Sequence, residues 1–163
     1  MWKKLKSALS SKGSAVPSTT VTRKGQTVPA DAVFEAWTSG DLDKMLAVAE
    51  APTNEIDRHF LLMSIVDQTY KLRQNPKTRS LCIKFAERHI SEFAGIAPVL
   101  KAEHNGVLPR VSTFQKYATL LTEDEQFERA IQVCEAAINY DLSDGTKSGF
   151  AGRILRIRKK AVS

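Results

Sequence analysis

Between Phe114 and Leu142 the apolar residues return every three or four positions, twice over, with one break between the runs. Phe114, Tyr117, Ala118 and Leu121 form the first stripe, and Phe127, Ala130, Ile131, Cys134, Ala137 and Ile138 the second. That is the helical period and not the strand period. Glu123, Asp124 and Glu125 mark the corner. The segment predicts two short antiparallel helices joined by a tight turn, with the small residues Ala118 and Ala130 where two backbones must approach. A lone helix pair cannot bury its apolar face, so this one has to stack on neighbours.

The rest of the chain offers such neighbours. Asp31 suits the cap of a short helix with Val33, Phe34 and Trp37, Gly40 its C-terminal cap, and Asp41 the start of a second helix that stops at Pro52. Asn54 suits the cap of a third helix, carrying Phe60, Leu61, Met63, Ile65, Val66, Tyr70 and Leu72 to about Arg73. Asn75–Pro76 marks a turn. A fourth helix, about 78–93, carries Leu81, Cys82, Phe85, Ala86, His89, Ile90 and Phe93. Residues 94–110 read as a connection holding one short helix near Val99, Leu100 and Ala102, ended by Asn105–Gly106. After the 114–142 unit, residues 141–149 are rich in turn formers, and 150–160 read as a last basic helix with Phe150, Ile154, Leu155 and Ile157 on its apolar side. Residues 11–30, rich in Ser, Thr, Gly and Pro without a sustained period, read as a flexible linker.

The 114–142 unit resembles a tetratricopeptide repeat. Phe114, Tyr117, Ala118, Leu121, Ala130, Cys134, Ala137 and Leu142 follow that family's spacing in a 34-residue window, 111–144. Leu142 stands where the family often has Pro. Extending the register puts Gly152 and Leu155 at the small and large positions of a following half-unit. The resemblance implies a short solenoid whose concave face, lined by the first helix of each unit, binds protein segments without catalysis. Gln115, Thr119 and Thr122 are its candidate contacts, with Arg110 at the groove edge. The 31–51 and 54–93 hairpins match only in helix order, and an irregular bundle of antiparallel hairpins is the alternative architecture. Either way the fold class is all-α, over residues 30–160, preceded by a basic arm at 1–29. Uncovered apolar ends of a short array leave room for a homodimer.

The 163 residues carry a formal charge of +6, distributed unevenly. Residues 1–27 hold six basic and no acidic side chains, and 144–163 hold six basic against Asp144 alone, whereas 28–143 carry more acids than bases. A broadly nucleic-acid-binding body is therefore disfavoured, and the ends become relevant. Trp2, Leu5 and Leu9 would share a helix side among Lys3, Lys4 and Lys6; Arg153, Arg156, Arg158, Lys159 and Lys160 follow one another at the other end. Both sets are candidates for peripheral contact with an anionic membrane or nucleic acid. Equally, they serve as a solubilising terminus and as a solvated face whose cations suit a helix C-terminus. The opening residues lack the apolar core of a secretory signal, which makes the cytoplasm the default location. No stretch approaches the roughly 20 apolar residues of a membrane span.

Chemistry-bearing motifs are sparse. Cys82 and Cys134 each sit inside an apolar helical pattern and read as buried small hydrophobes. His59, His89 and His104 are far apart in sequence, no HExxH is present, and no second pair completes a ligand set for Cys82 and His89. The acids at 123–128 suit the first turn of a helix. No metal centre and no cofactor is expected. A small helical enzyme would need a polar pocket bringing one of the histidines beside acids, and it is the third reading after the interaction module and the basic-ended accessory protein.

Overall fold

The computed structural model describes residues 19–163. Trp2, Leu5 and Leu9 and the cations Lys3, Lys4 and Lys6 lie outside the described residues. A two-stranded antiparallel hairpin, β1 (Thr20–Arg23) and β2 (Gln26–Pro29), comes first. Seven helices follow: α1 (Ala32–Ser39), α2 (Leu42–Ala47), α3 (Glu55–Lys71), α4 (Pro76–Glu103), α5 (Ser112–Glu123), α6 (Phe127–Asn139) and α7 (Gly149–Ala161). The fold is all-α apart from the hairpin.

The helix starts obey local chemistry. The carboxylates of Asp31 and Asp41 accept from the backbone N–H of Phe34 and Lys44, and the Asn54 side chain accepts from that of Asp57. Asn75 accepts from Lys77 and Thr78 ahead of α4, with Pro76 in its first turn, where its missing N–H removes no helical bond. Gly40 closes α1 in the left-handed conformation, φ 71°.

Successive hairpins stack in chain order. α1 and α2 lie against α3, α3 and α4 against α5, and α6 against α7. One continuous core runs through the stack, from Val33 and Met45 through Leu61, Leu62 and Ile65, then Phe93 and Leu100, to Phe114, Leu121, Cys134 and Ile154. Ala118 and Ala130 are both fully buried. Aromatic rings bridge the units: Phe93 meets Phe114 and Tyr140 edge-on, at centroid distances of 5.3 and 4.9 Å.

Four sequence expectations are corrected. Residues 20–29, read as linker, form the hairpin, whose turn residues Lys24 and Gly25 both have positive φ, 51° and 72°. That turn is the kind whose twist matches a two-stranded ribbon. The expected break near residue 94 does not occur: α4 runs unbroken to Glu103 with Pro98 inside it. Pro98 has no N–H to offer the carbonyl four residues back, but its turn carries Ile96, Ala97 and Leu100 into the core, and that packing holds the helix together. The acids Glu123 and Asp124 do not start α6. They close α5, and their carboxylates take Arg73 and Arg79 from the preceding hairpin. Leu155, placed on the apolar side of the last helix, is 65% exposed, while Phe150, Ile154 and Ile157 of the same expected set are buried. In the 114–142 unit α6 covers the equivalent Leu121; among the described residues nothing covers Leu155.

Candidate functional site

α5 presents a stripe of polar side chains at steps of four and three: Gln115, Thr119 and Thr122. Each sits where the helix turns its non-core side outward. The Thr119 hydroxyl donates to the Gln115 carbonyl at 2.8 Å and that of Thr122 to the Ala118 carbonyl at 2.7 Å. Their protons are thereby used within the helix, and lone pairs face out. Gln115 accepts from the Arg110 guanidinium at 3.0 Å, one turn before Thr119.

α7 divides its surface into three faces by the 100° step of the helix. Phe150, Ile154 and Ile157 enter the core. Arg153, Arg156 and Lys160, with the edge of Ile157, turn toward α5 and enclose a groove of about 300 Å³ with Thr119, Thr122 and Glu123. Ala151, Leu155, Arg158, Lys159 and Val162 face away from both. Thr119 and Thr122 of α5 and part of the basic run thus meet in one place, whereas Gln115, Arg110, Arg158 and Lys159 do not line it.

The charges of the groove are held differently. Arg153 is anchored: its guanidinium lies 3.1 Å from the buried carboxylate of Asp144 and donates to Thr119 at 3.3 Å. Burial alone would raise the Asp144 pKa, but bonds from Thr146 and Arg153 outweigh it and keep the carboxyl below its usual range. Glu123 is likewise occupied by Arg73 and Arg79, both at 3.0 Å. Burial opposes its ionisation, and the two arginines overcome that and lower its pKa. Arg156 donates to Ser148 at 2.9 Å. Among the described residues neither Arg156 nor Lys160 has a carboxylate partner. The groove therefore offers two cations without a carboxylate partner among the described residues, beside the edge of Ile157 and the threonine lone pairs along one wall. Such a set can hold a ligand through carboxylates and backbone N–H groups.

The histidines are arranged otherwise than the sequence indicated. His89 is completely buried and lies 3.0 Å from His59, Nε2 to Nδ1, across the α3–α4 interface. Its other nitrogen lies 2.7 Å from the Thr113 hydroxyl at the start of α5. Two directions fit these contacts. With Thr113 donating to His89 Nδ1 and His89 Nε2–H to His59 Nδ1, the His59 Nε2–H is left without a partner among the described residues; in the reverse direction His59 Nε2 is an empty acceptor and the Thr113 hydroxyl proton is the one to be placed. Burial, with a smaller contribution from His104, pushes His59 down to about 4, and burial lowers His89 well below the ordinary histidine value. Phe60 and Phe93 flank the pair. His104 instead donates to the Leu100 carbonyl at 2.8 Å. None of the three histidines has a carboxylate partner among the described residues. Cys82 and Cys134 are both buried and free, and burial pushes Cys134 up to about 11.

Asp57, in the first turn of α3, is a hub. Its buried carboxylate accepts from Arg23 at 2.6 and 3.2 Å, from Trp37 at 3.0 Å and from Asn54 at 2.6 Å. It pins the hairpin to α1 and α3. The residue spacing carries no sign of it, because its partners come from three separate segments. Beside the hairpin, Thr22, Lys24 and Gly25 with Pro98, Val99, Ala102 and Glu103 line a wider apolar hollow of about 670 Å³. Its acid is engaged by the Lys24 backbone N–H at 2.5 Å. No helix among the described residues is long and apolar enough to cross a membrane. Comparison with protein-family models, with curated proteins and with solved structures returned no match.

Proposed function

We propose that this chain is a non-enzymatic interaction module, a short stack of tetratricopeptide-like hairpins that holds a protein segment in the groove between α5 and α7. One observation carries the reading. Thr119 and Thr122, taken from the repeat pattern, and Arg153, Arg156 and Lys160, taken from charge, line the same groove. Hairpins stacked in order around one core support the architecture. The groove's groups are hydrogen-bond partners and cations, which suits holding a ligand. Because Arg153 and Glu123 already have partners, the free charge facing the ligand is that of Arg156 and Lys160. The segment held is accordingly acidic.

Selection of displayed random peptides on the full-length protein tests this. The recovered sequences should be rich in Asp and Glu, and reversing both Arg156 and Lys160 to Glu should weaken their binding by about 100-fold, about 1.4 kcal/mol for each cation. Peptides without acidic bias, or peptides indifferent to the double reversal, would contradict the proposal.

A further inference from the structure

The outward face of α7 has no part in the core or in the groove. From Ala151 the steps of four, three and four lead through Leu155 and Arg158 to Val162, with Lys159 beside them. All five side chains are exposed, and Leu155 and Val162, at 65% and 87%, are among the most exposed large hydrophobic residues described. Arg158 and Lys159 have no carboxylate partner among the described residues, although most arginines of the body do.

We propose that this face of α7 lies on an anionic lipid surface, with Leu155 and Val162 entering the headgroup boundary and Arg158 and Lys159 meeting lipid phosphates and carboxylates. The shape and the mixture of side chains select the partner. The face is one side of a single convex helix, so it suits a flat surface and offers no cleft for an extended peptide. A second copy would oppose like charges at Arg158 and Lys159. A nucleic-acid backbone would satisfy the cations and leave Leu155 and Val162 without an apolar partner. An anionic bilayer satisfies both, since basic residues and apolar residues on one helix side are what interfacial helices use. The groove side of the same helix, with Arg156 and Lys160, stays turned toward α5 and is available to a protein segment at the same time.

Co-sedimentation of the full-length protein with vesicles tests the assignment. Vesicles of phosphatidylcholine with phosphatidylserine should bind it, and vesicles of phosphatidylcholine alone should not. Each basic residue near such a surface contributes roughly fivefold, so the Arg158→Gln/Lys159→Gln variant should bind about 25-fold more weakly. Leu155→Ser/Val162→Ser should also lose binding, by several-fold, with an unchanged helical circular-dichroism spectrum. Arg156→Gln, on the groove side, should bind these vesicles as the parent does. Equal binding to both kinds of vesicle would overturn the proposal, as would undiminished binding by the two outward-face variants, which would assign the affinity to the lysines of residues 1–18. Failure of every form to bind vesicles, with binding of a short DNA duplex that depends on Arg158 and Lys159 but not on Leu155 and Val162, would overturn it in favour of nucleic acid.

Discussion

His59 and His89 share one hydrogen-bonded chain with Thr113 and stay neutral inside the core. In the unfolded chain each histidine takes a proton as pH falls below about 6.5. In the folded protein His59 resists until about 4, and burial holds His89 well below its ordinary value. The unfolded state therefore binds more protons over this interval, and stability declines as pH falls through it. His59 alone contributes a loss of roughly 3 kcal/mol between pH 6.5 and 4, and His89 acts in the same direction. Urea denaturation at a series of pH values should show the decline beginning near pH 6.5, well above the carboxylate range. At the other buried centre, burial opposes the charge of Asp57, but bonds from Arg23, Asn54 and Trp37 outweigh it and hold the carboxyl below its ordinary value. Arg23→Met leaves that charge buried without its counter-ion and should destabilise the protein by about 3 kcal/mol near neutral pH. The loss should shrink in acid, where Asp57 protonates, and the same titration reads both effects.

At the scale of elements, close approach decides. Ala118 and Ala130 are both completely buried in the α5–α6 pair. Ala118→Leu adds volume where none is free and should lower stability by about 1–3 kcal/mol, read from the denaturation midpoint. Those alanines were legible because a helix pair writes its packing as a period of three and four. The caps Asp31, Asp41 and Asn54 were legible for a similarly local reason, each bonding a backbone N–H three residues ahead, whereas Asn75 was read as a turn and not as the cap of α4. The 20–29 hairpin was obscured because its strands are only four residues long and its turn is Lys-Gly in place of the stronger Asn-Gly signal. The flanking Thr-Val pairs around one glycine were the sign available. α4 was ended at Phe93, with 94–110 read as a connection holding a separate short helix, although its buried positions 93, 96, 97 and 100 continue the same helical stripe. The salt-bridge role of Glu123 and Asp124 depends on Arg73 and Arg79, more than forty residues away, and local reading could not supply it.

For the whole molecule, stacking gives the basic C-terminal run two destinations. As a string, Arg153 to Lys160 is one charged feature. On α7 it separates into Arg153, Arg156 and Lys160 beside the threonines of α5, and Arg158 and Lys159 on the outside. Helical periodicity alone makes the separation, but which side meets α5 follows from the burial of Phe150, Ile154 and Ile157. The account stands on the groove side. Its most direct measurement is amide chemical-shift mapping of the full-length protein titrated with an acidic peptide from the display selection. The account predicts that the largest changes fall on Thr119, Thr122, Arg153, Arg156 and Lys160 and saturate together. Changes gathered at the hollow beside the hairpin, around Lys24, Val99 and Glu103, with the α5 and α7 signals unmoved, would contradict it.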